Sequence, residues 1–133
     1  MKSFTHAVAL LFLALVALVS ASPVTKRDVF VPHITNPHAG TILRTGQRYN
    51  VTWETDDAPA QITNPIGKIV LAKAGRLIGI ENPIAQGFNI LQGWQEITVP
   101  VVDTAFDYSF VLFGDSGNFS PEFPIIHVLE LST

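Results

Sequence analysis

Tyr49-Asn50-Val51-Thr52-Trp53-Glu54-Thr55 alternates with a period of two. Tyr49, Val51, Trp53 and Thr55 share one side of that pattern, and Asn50, Thr52 and Glu54 share the other. This is a half-buried strand with one wet face. Further along, Tyr108-Ser-Phe-Val-Leu-Phe113 is apolar on both sides apart from Ser109, as a strand covered on two faces requires. Gln95-Glu-Ile-Thr-Val99 alternates again, and Lys68-Ile-Val-Leu-Ala-Lys73 is a short apolar run closed by charges. Phe123-Pro-Ile-Ile-His-Val128 carries proline near its start, which places it at a sheet edge. Shorter candidates are Val29–Val31, Thr41–Leu43, Arg76–Ile78 and Phe88–Leu91.

Turn chemistry separates these runs. Asn36-Pro37-His-Ala-Gly40, Asp56-Asp-Ala-Pro59, Asn64-Pro65, Glu81-Asn-Pro83 and Gly114-Asp-Ser-Gly117 are turns by composition. No segment after Asp28 sustains a helical period over three turns. Strands broken by turns every ~8–12 residues predict an all-β antiparallel sandwich of the immunoglobulin or fibronectin kind. Asp103-Thr-Ala-Phe-Asp-Tyr108 sharpens this, because a tyrosine entering a central strand after such a turn resembles the tyrosine corner of immunoglobulin-like domains. The spacing is one residue longer here, and Phe110 stands where antibody domains place a cysteine. A tyrosine packed in the core without the corner hydrogen bond is the other reading.

The N-terminus sets the compartment. Met1-Lys2 and an apolar run from Ala7 to Val19, too short to span a bilayer, lead to small residues at Ser20-Ala21. Residues 1–21 are expected to be a secretory signal helix. Residues 22–27 are expected to be a pro-segment ending at the dibasic pair Lys26-Arg27, and residues 28–133 a single domain. Of the eight basic residues, Lys2, Lys26 and Arg27 would be removed, leaving five against eleven acids and a formal charge of −6. No basic stripe survives, which disfavours nucleic acid and anionic membrane as partners. The sequence contains no cysteine, so stability must come from packing, and thiol chemistry is excluded. Ile125–Thr133 has neither the polar spacer nor the hydrophobic tail of a lipid-anchor signal, so a free mature form without membrane attachment is expected.

Several blocks carry a family likeness. Val31-Pro-His-Ile-Thr-Asn-Pro-His-Ala-Gly-Thr41, Gly46-Gln-Arg-Tyr-Asn-Val-Thr-Trp53, Ile62-Thr-Asn-Pro-Ile-Gly67 and Phe110-Val-Leu-Phe-Gly-Asp-Ser-Gly-Asn-Phe-Ser-Pro-Glu-Phe123 are spread across the mature chain. Together they resemble the N-terminal domain of the yeast cell-wall-synthesis proteins linked to β-1,6-glucan assembly. That domain also occurs in fungal Ser/Thr-rich GPI-anchored proteins. The resemblance implies an immunoglobulin- or fibronectin-like β-sandwich, a fungal source and an extracellular or cell-wall location. It supplies no catalytic residue set, and this chain lacks the Ser/Thr-rich tail of the larger members.

Candidate chemistry is sparse. His33, His38 and His127 have no ligand spacing, so no metal and no cofactor is expected. Neither expected mature terminus, Ser22 or Asp28, is the histidine that a copper-dependent polysaccharide oxygenase needs. Asp56, Asp57, Asp115 and Glu122 could supply carboxylates for glycoside hydrolysis, yet nothing selects a pair. Ser116 in Gly114-Asp-Ser-Gly117 lacks the strand–turn–helix setting of a nucleophile elbow, and a hairpin turn leading to another strand accounts for it better. No enzyme is expected.

Aromatic side chains remain, since sugar rings stack their C–H faces on exposed indole or phenyl groups while polar neighbours read hydroxyls. Trp53 belongs to the apolar side of its strand and is expected in the core. Trp94, between Gln92-Gly93 and Gln95-Glu96, is the first candidate for a glycan contact, and Phe119 the second. Asn50-Val-Thr52 and Asn118-Phe-Ser120 are glycosylation sequons, the second weakened by Pro121. The expected partner is cell-wall polysaccharide (β-glucan), or alternatively an extracellular protein bound by an effector-like interaction module.

Overall fold

The computed structural model describes residues 30–129. The signal segment, the pro-segment and its dibasic site lie outside the described residues. Within them the chain forms ten strands and a single 3-10 turn. Three strands make one sheet in the order β1 (Ile34–Asn36), β3 (Arg48–Trp53), β7 (Trp94–Thr98). The second sheet runs β2 (Leu43–Arg44), β10 (Phe123–Ile126), β8 (Ala105–Phe113), β4 (Ile66–Lys73), β5 (Arg76–Leu77). To it β6 (Ala85–Asn89) adds against β4, and β9 (Gly117–Phe119) against β8. The chain passes between the sheets at β1–β2, β2–β3, β3–β4, β6–β7 and β7–β8, and every pairing is antiparallel except one. The fold is an antiparallel β-sandwich of the immunoglobulin/fibronectin-like class.

Period-two patterning explains the packing. Val51 and Trp53 of β3, Ile97 of β7, Ile69 and Leu71 of β4, and Phe110 and Leu112 of β8 face one another as one buried cluster. The Phe110 and Phe123 rings, on neighbouring strands of the larger sheet, meet at 4.8 Å between centroids in this cluster. On β8 the alternate residues Ser109 and Val111 are buried as well, in keeping with a strand covered on both faces. Tyr108 is 2% exposed, and its hydroxyl donates to the Asp103 carbonyl at 2.7 Å. The corner hydrogen bond is therefore formed despite the longer spacing, tying the entry of β8 to the turn before it.

Four local expectations are corrected. The strand at Phe123 is not an edge, because β10 lies between β8 and β2. Pro124 is accommodated where the β10–β8 register shifts between Phe123 and Ile125, a bulge that spares the missing donor. The same strand pairs with β2 in parallel, Ile125 with Leu43 and Ile126 with Arg44. This happens because the turn after β1 carries the chain from one sheet to the other. Phe88–Leu91 is half strand and half turn: Asn89 accepts from the Leu91 amide at 2.9 Å and starts a 3-10 turn, which Gly93 ends at φ +80°. Finally, Phe30 and Val31 lie outside any strand, whereas Ile34–Asn36, whose last residue is expected from the sequence to open the turn Asn36–Gly40, forms β1.

Candidate functional site

The two tryptophans have opposite environments. Trp53 is 4% exposed, stacks at a tilt on Phe88 with 5.5 Å between centroids, and donates its indole N–H to the Ile90 carbonyl at 2.7 Å. It is core, as its place in the alternation requires. Trp94 is 53% exposed and opens β7, an edge strand of the smaller sheet.

Register fixes what surrounds Trp94. On the outer face of the smaller sheet, Thr52 lies opposite Trp94, Asn50 opposite Glu96 and Arg48 opposite Thr98. Thr35 of β1 extends the first row, with 2.7 Å between its hydroxyl and that of Thr52. Arg48 and Glu96 form a loose exposed ion pair across the sheet at 4.0 Å, worth little in stability. Gln92 braces the strand from behind, with its amide on the Trp94 carbonyl and on Gln95 Oε1 at 3.1 Å. The result is one large indole on an otherwise hydrophilic sheet face. Such a surface can stack on an apolar ring face while hydroxyls and carboxylates nearby take hydrogen bonds.

Phe119 is 45% exposed and sits elsewhere. It pairs with Val111 across β9 and β8, on the outer face of the larger sheet. Phe113 belongs to the same face, with the Lys68 ammonium 5.4 Å from its ring centroid. Trp94 and Phe119 thus point away from opposite layers, so they cannot grip one ligand together. Phe113 was not singled out from the sequence, because in an unbroken apolar run nothing distinguishes an outer-face ring from a core one.

The sequons also differ. Asn50 is exposed on the Trp94 face, while Asn118 is half-buried with its amide donating to the Pro32 carbonyl. The histidines are dispersed. His38 Nδ1 lies 2.8 Å from the Ala39 carbonyl, and His127 Nδ1 lies 3.0 Å from that of Val102. Among the described residues no group of three or more histidine, aspartate or glutamate side chains converges as metal ligands. Ser116 occupies the β8–β9 hairpin, where its carbonyl accepts from the Gly114 amide at 3.2 Å. Asp56 and Asp57 follow β3, Asp115 sits in that hairpin and Glu122 precedes β10, so the acids weighed for hydrolysis are distributed over three loops.

One arrangement was not legible beforehand. His33, Glu54 and Asp57 line a cleft with Phe30, Pro32 and Pro59 at one end of the sandwich. It forms because the His33 carbonyl accepts from the Glu54 amide at 2.9 Å and draws the two segments together, a contact between residues far apart in sequence.

No protein-family model and no curated protein matches the chain. Among solved structures, the fibronectin(III)-like modules of CbhA from Clostridium thermocellum are similar at 18% identity and a TM-score of 0.39, covering 76% of this chain and all of that one. Within the described residues no helix is long and apolar enough to cross a membrane.

Proposed function

We propose that this protein is a non-catalytic, secreted fungal β-sandwich module that associates with the cell wall through its β-glucans. The reading draws on the signal-like leader and on the resemblance of four sequence blocks to the cell-wall-synthesis domain. The observation that carries the ligand class is the exposed Trp94 indole on the hydrophilic outer face of β1, β3 and β7. Trp53 fills the core, whereas about half of Trp94 stands exposed amid threonine, asparagine and glutamate, where a ligand can reach it. An open sheet face suits a polysaccharide chain presented at a surface better than a small soluble sugar, which favours enclosed pockets.

The alternative is a protein-interaction module. Its specific support is the outer face of the larger sheet, where the exposed Phe119 and the Phe113 ring supply the aromatic area that protein interfaces favour. Sedimentation of the non-glycosylated mature protein with insoluble β-glucan, cellulose and chitin, beside capture by extracellular protein baits, separates the two. Retention by β-glucan supports the first reading; capture by protein baits with no polysaccharide retention replaces it with the second.

A further inference from the structure

Asn50 and Trp94 are diagonal neighbours. Asn50 faces Glu96 and Thr52 faces Trp94 in an unbroken β3–β7 register, so the two side chains rise from the same face two positions apart. Diagonal pairs of this kind stand ~7–8 Å apart, within reach of long or aromatic side chains. The sequon threonine, Thr52, is the residue directly opposite the indole. We infer that an N-linked glycan on Asn50 lies across the Trp94 ring, so that glycosylation caps the surface that a β-glucan would otherwise occupy.

Geometry assigns the modification to Asn50 and not to Asn118. The Asn50 side chain is exposed, and it is the backbone carbonyl of Asn50, not its amide, that holds Asn36 at 3.0 Å. Attachment through its amide nitrogen therefore breaks no contact on that face. Asn118 is half-buried and spends its amide on Pro32, so a sugar there would displace a link between β9 and the segment before β1. The first sugars on Asn50 are tethered beside the indole, and a tether raises their effective concentration far above that of a free ligand. A hexosamine ring carries the same kind of C–H face that a glucan offers. Tethered sugar and free polysaccharide compete for one ring, and the tethered one has the advantage.

This inference rests on Trp94 being the glucan contact only for its regulatory consequence; the glycan–indole contact stands apart from it. The test uses the full-length chain secreted by a eukaryotic host, beside its Asn50→Gln and Asn118→Gln variants. Mass spectrometry should find the glycan on Asn50, lost in the first variant and kept in the second. Acrylamide quenching reads Trp94, because the other tryptophan, Trp53, is 4% exposed. The glycosylated protein should be quenched less than Asn50→Gln, and its retention by insoluble β-glucan should be about ten-fold lower, equivalent to ~1.4 kcal/mol. Equal quenching of the two forms, or a secreted protein with no glycan at Asn50, overturns the inference whatever the retention. If neither form binds β-glucan while the quenching difference persists, the glycan covers Trp94 as stated and the glucan-binding reading fails instead.

Discussion

Replacing Trp53 with alanine should remove the largest single anchor between the two sheets. The side chain is 4% exposed, packs against Phe88 and satisfies the buried Ile90 carbonyl at 2.7 Å. Truncating a buried tryptophan costs ~3–5 kcal/mol through lost transfer energy and the cavity left behind. Against a total of ~5–15 kcal/mol for a domain of this kind, that is a large fraction. A domain of about 100 residues loses ~4–8 °C per kcal/mol, so the midpoint should fall by roughly 12–40 °C. Trp53→Phe separates the two contributions. It keeps an aromatic ring but deletes the indole N–H bonded to the Ile90 carbonyl, a loss of ~0.5–1.5 kcal/mol. Thermal melts followed by circular dichroism should therefore rank wild type above Trp53→Phe above Trp53→Ala. A midpoint for Trp53→Ala within a few degrees of wild type would refute the placement of Trp53 between the sheets.

Three further outcomes are expected. Gly67→Ala should destabilise by ~1–3 kcal/mol in denaturant titration, because a Cβ at position 67 would fall within the Phe88 ring; an unchanged midpoint would mean the ring moves aside freely. Tyr108→Phe should cost about 1 kcal/mol, since it deletes only the hydroxyl bonded to Asp103, and a neutral result would leave the corner hydrogen bond without a stabilising role. Burial pushes the Tyr108 phenol above its ordinary value of 10.0, Lys73 opposes this, and Asp103 and Asp107 add to it; burial likewise raises Tyr49, against its side-chain hydrogen bonds with Thr41 and Asn36. A phenol with a raised folded-state pKa contributes stability that is fully present below pH ~10 and lost as pH rises through the folded value, so alkaline melts should decline above that point and less steeply in Tyr108→Phe.

The sandwich was legible in the sequence because Tyr49–Thr55 carries the period of two of a half-buried strand, and Tyr108–Phe113 is a short apolar run bounded by turns, the length of a strand covered on both faces. The same alternation assigned Trp53 to the core and Asn50, Thr52 and Glu54 to the wet face, and the structure places them so. What stayed hidden depended on partners distant in sequence. Pro124 argued for an edge, but a register shift against β8 lets proline sit between two strands. The parallel β2–β10 pair has no local signature, since two residues of strand carry no period. Ile34–Asn36 is too short to alternate visibly, and its pairing with β3 makes it a strand. At the candidate site, polar flanking residues were enough to single out Trp94. That Phe119 faces the opposite way follows only from its register with Val111, which sequence spacing does not encode.

Sedimentation of Trp94→Ala with insoluble β-glucan bears most directly on the proposed role, using non-glycosylated protein with Phe119→Ala beside it. Truncating an exposed ring leaves no core cavity, so the fold should change by no more than ~0.5 kcal/mol. Retention of Trp94→Ala should fall about ten-fold, equivalent to ~1.4 kcal/mol, while Phe119→Ala, on the opposite face, should bind as wild type does. Undiminished retention of a folded Trp94→Ala protein would contradict the assignment of glucan binding to the β1–β3–β7 face.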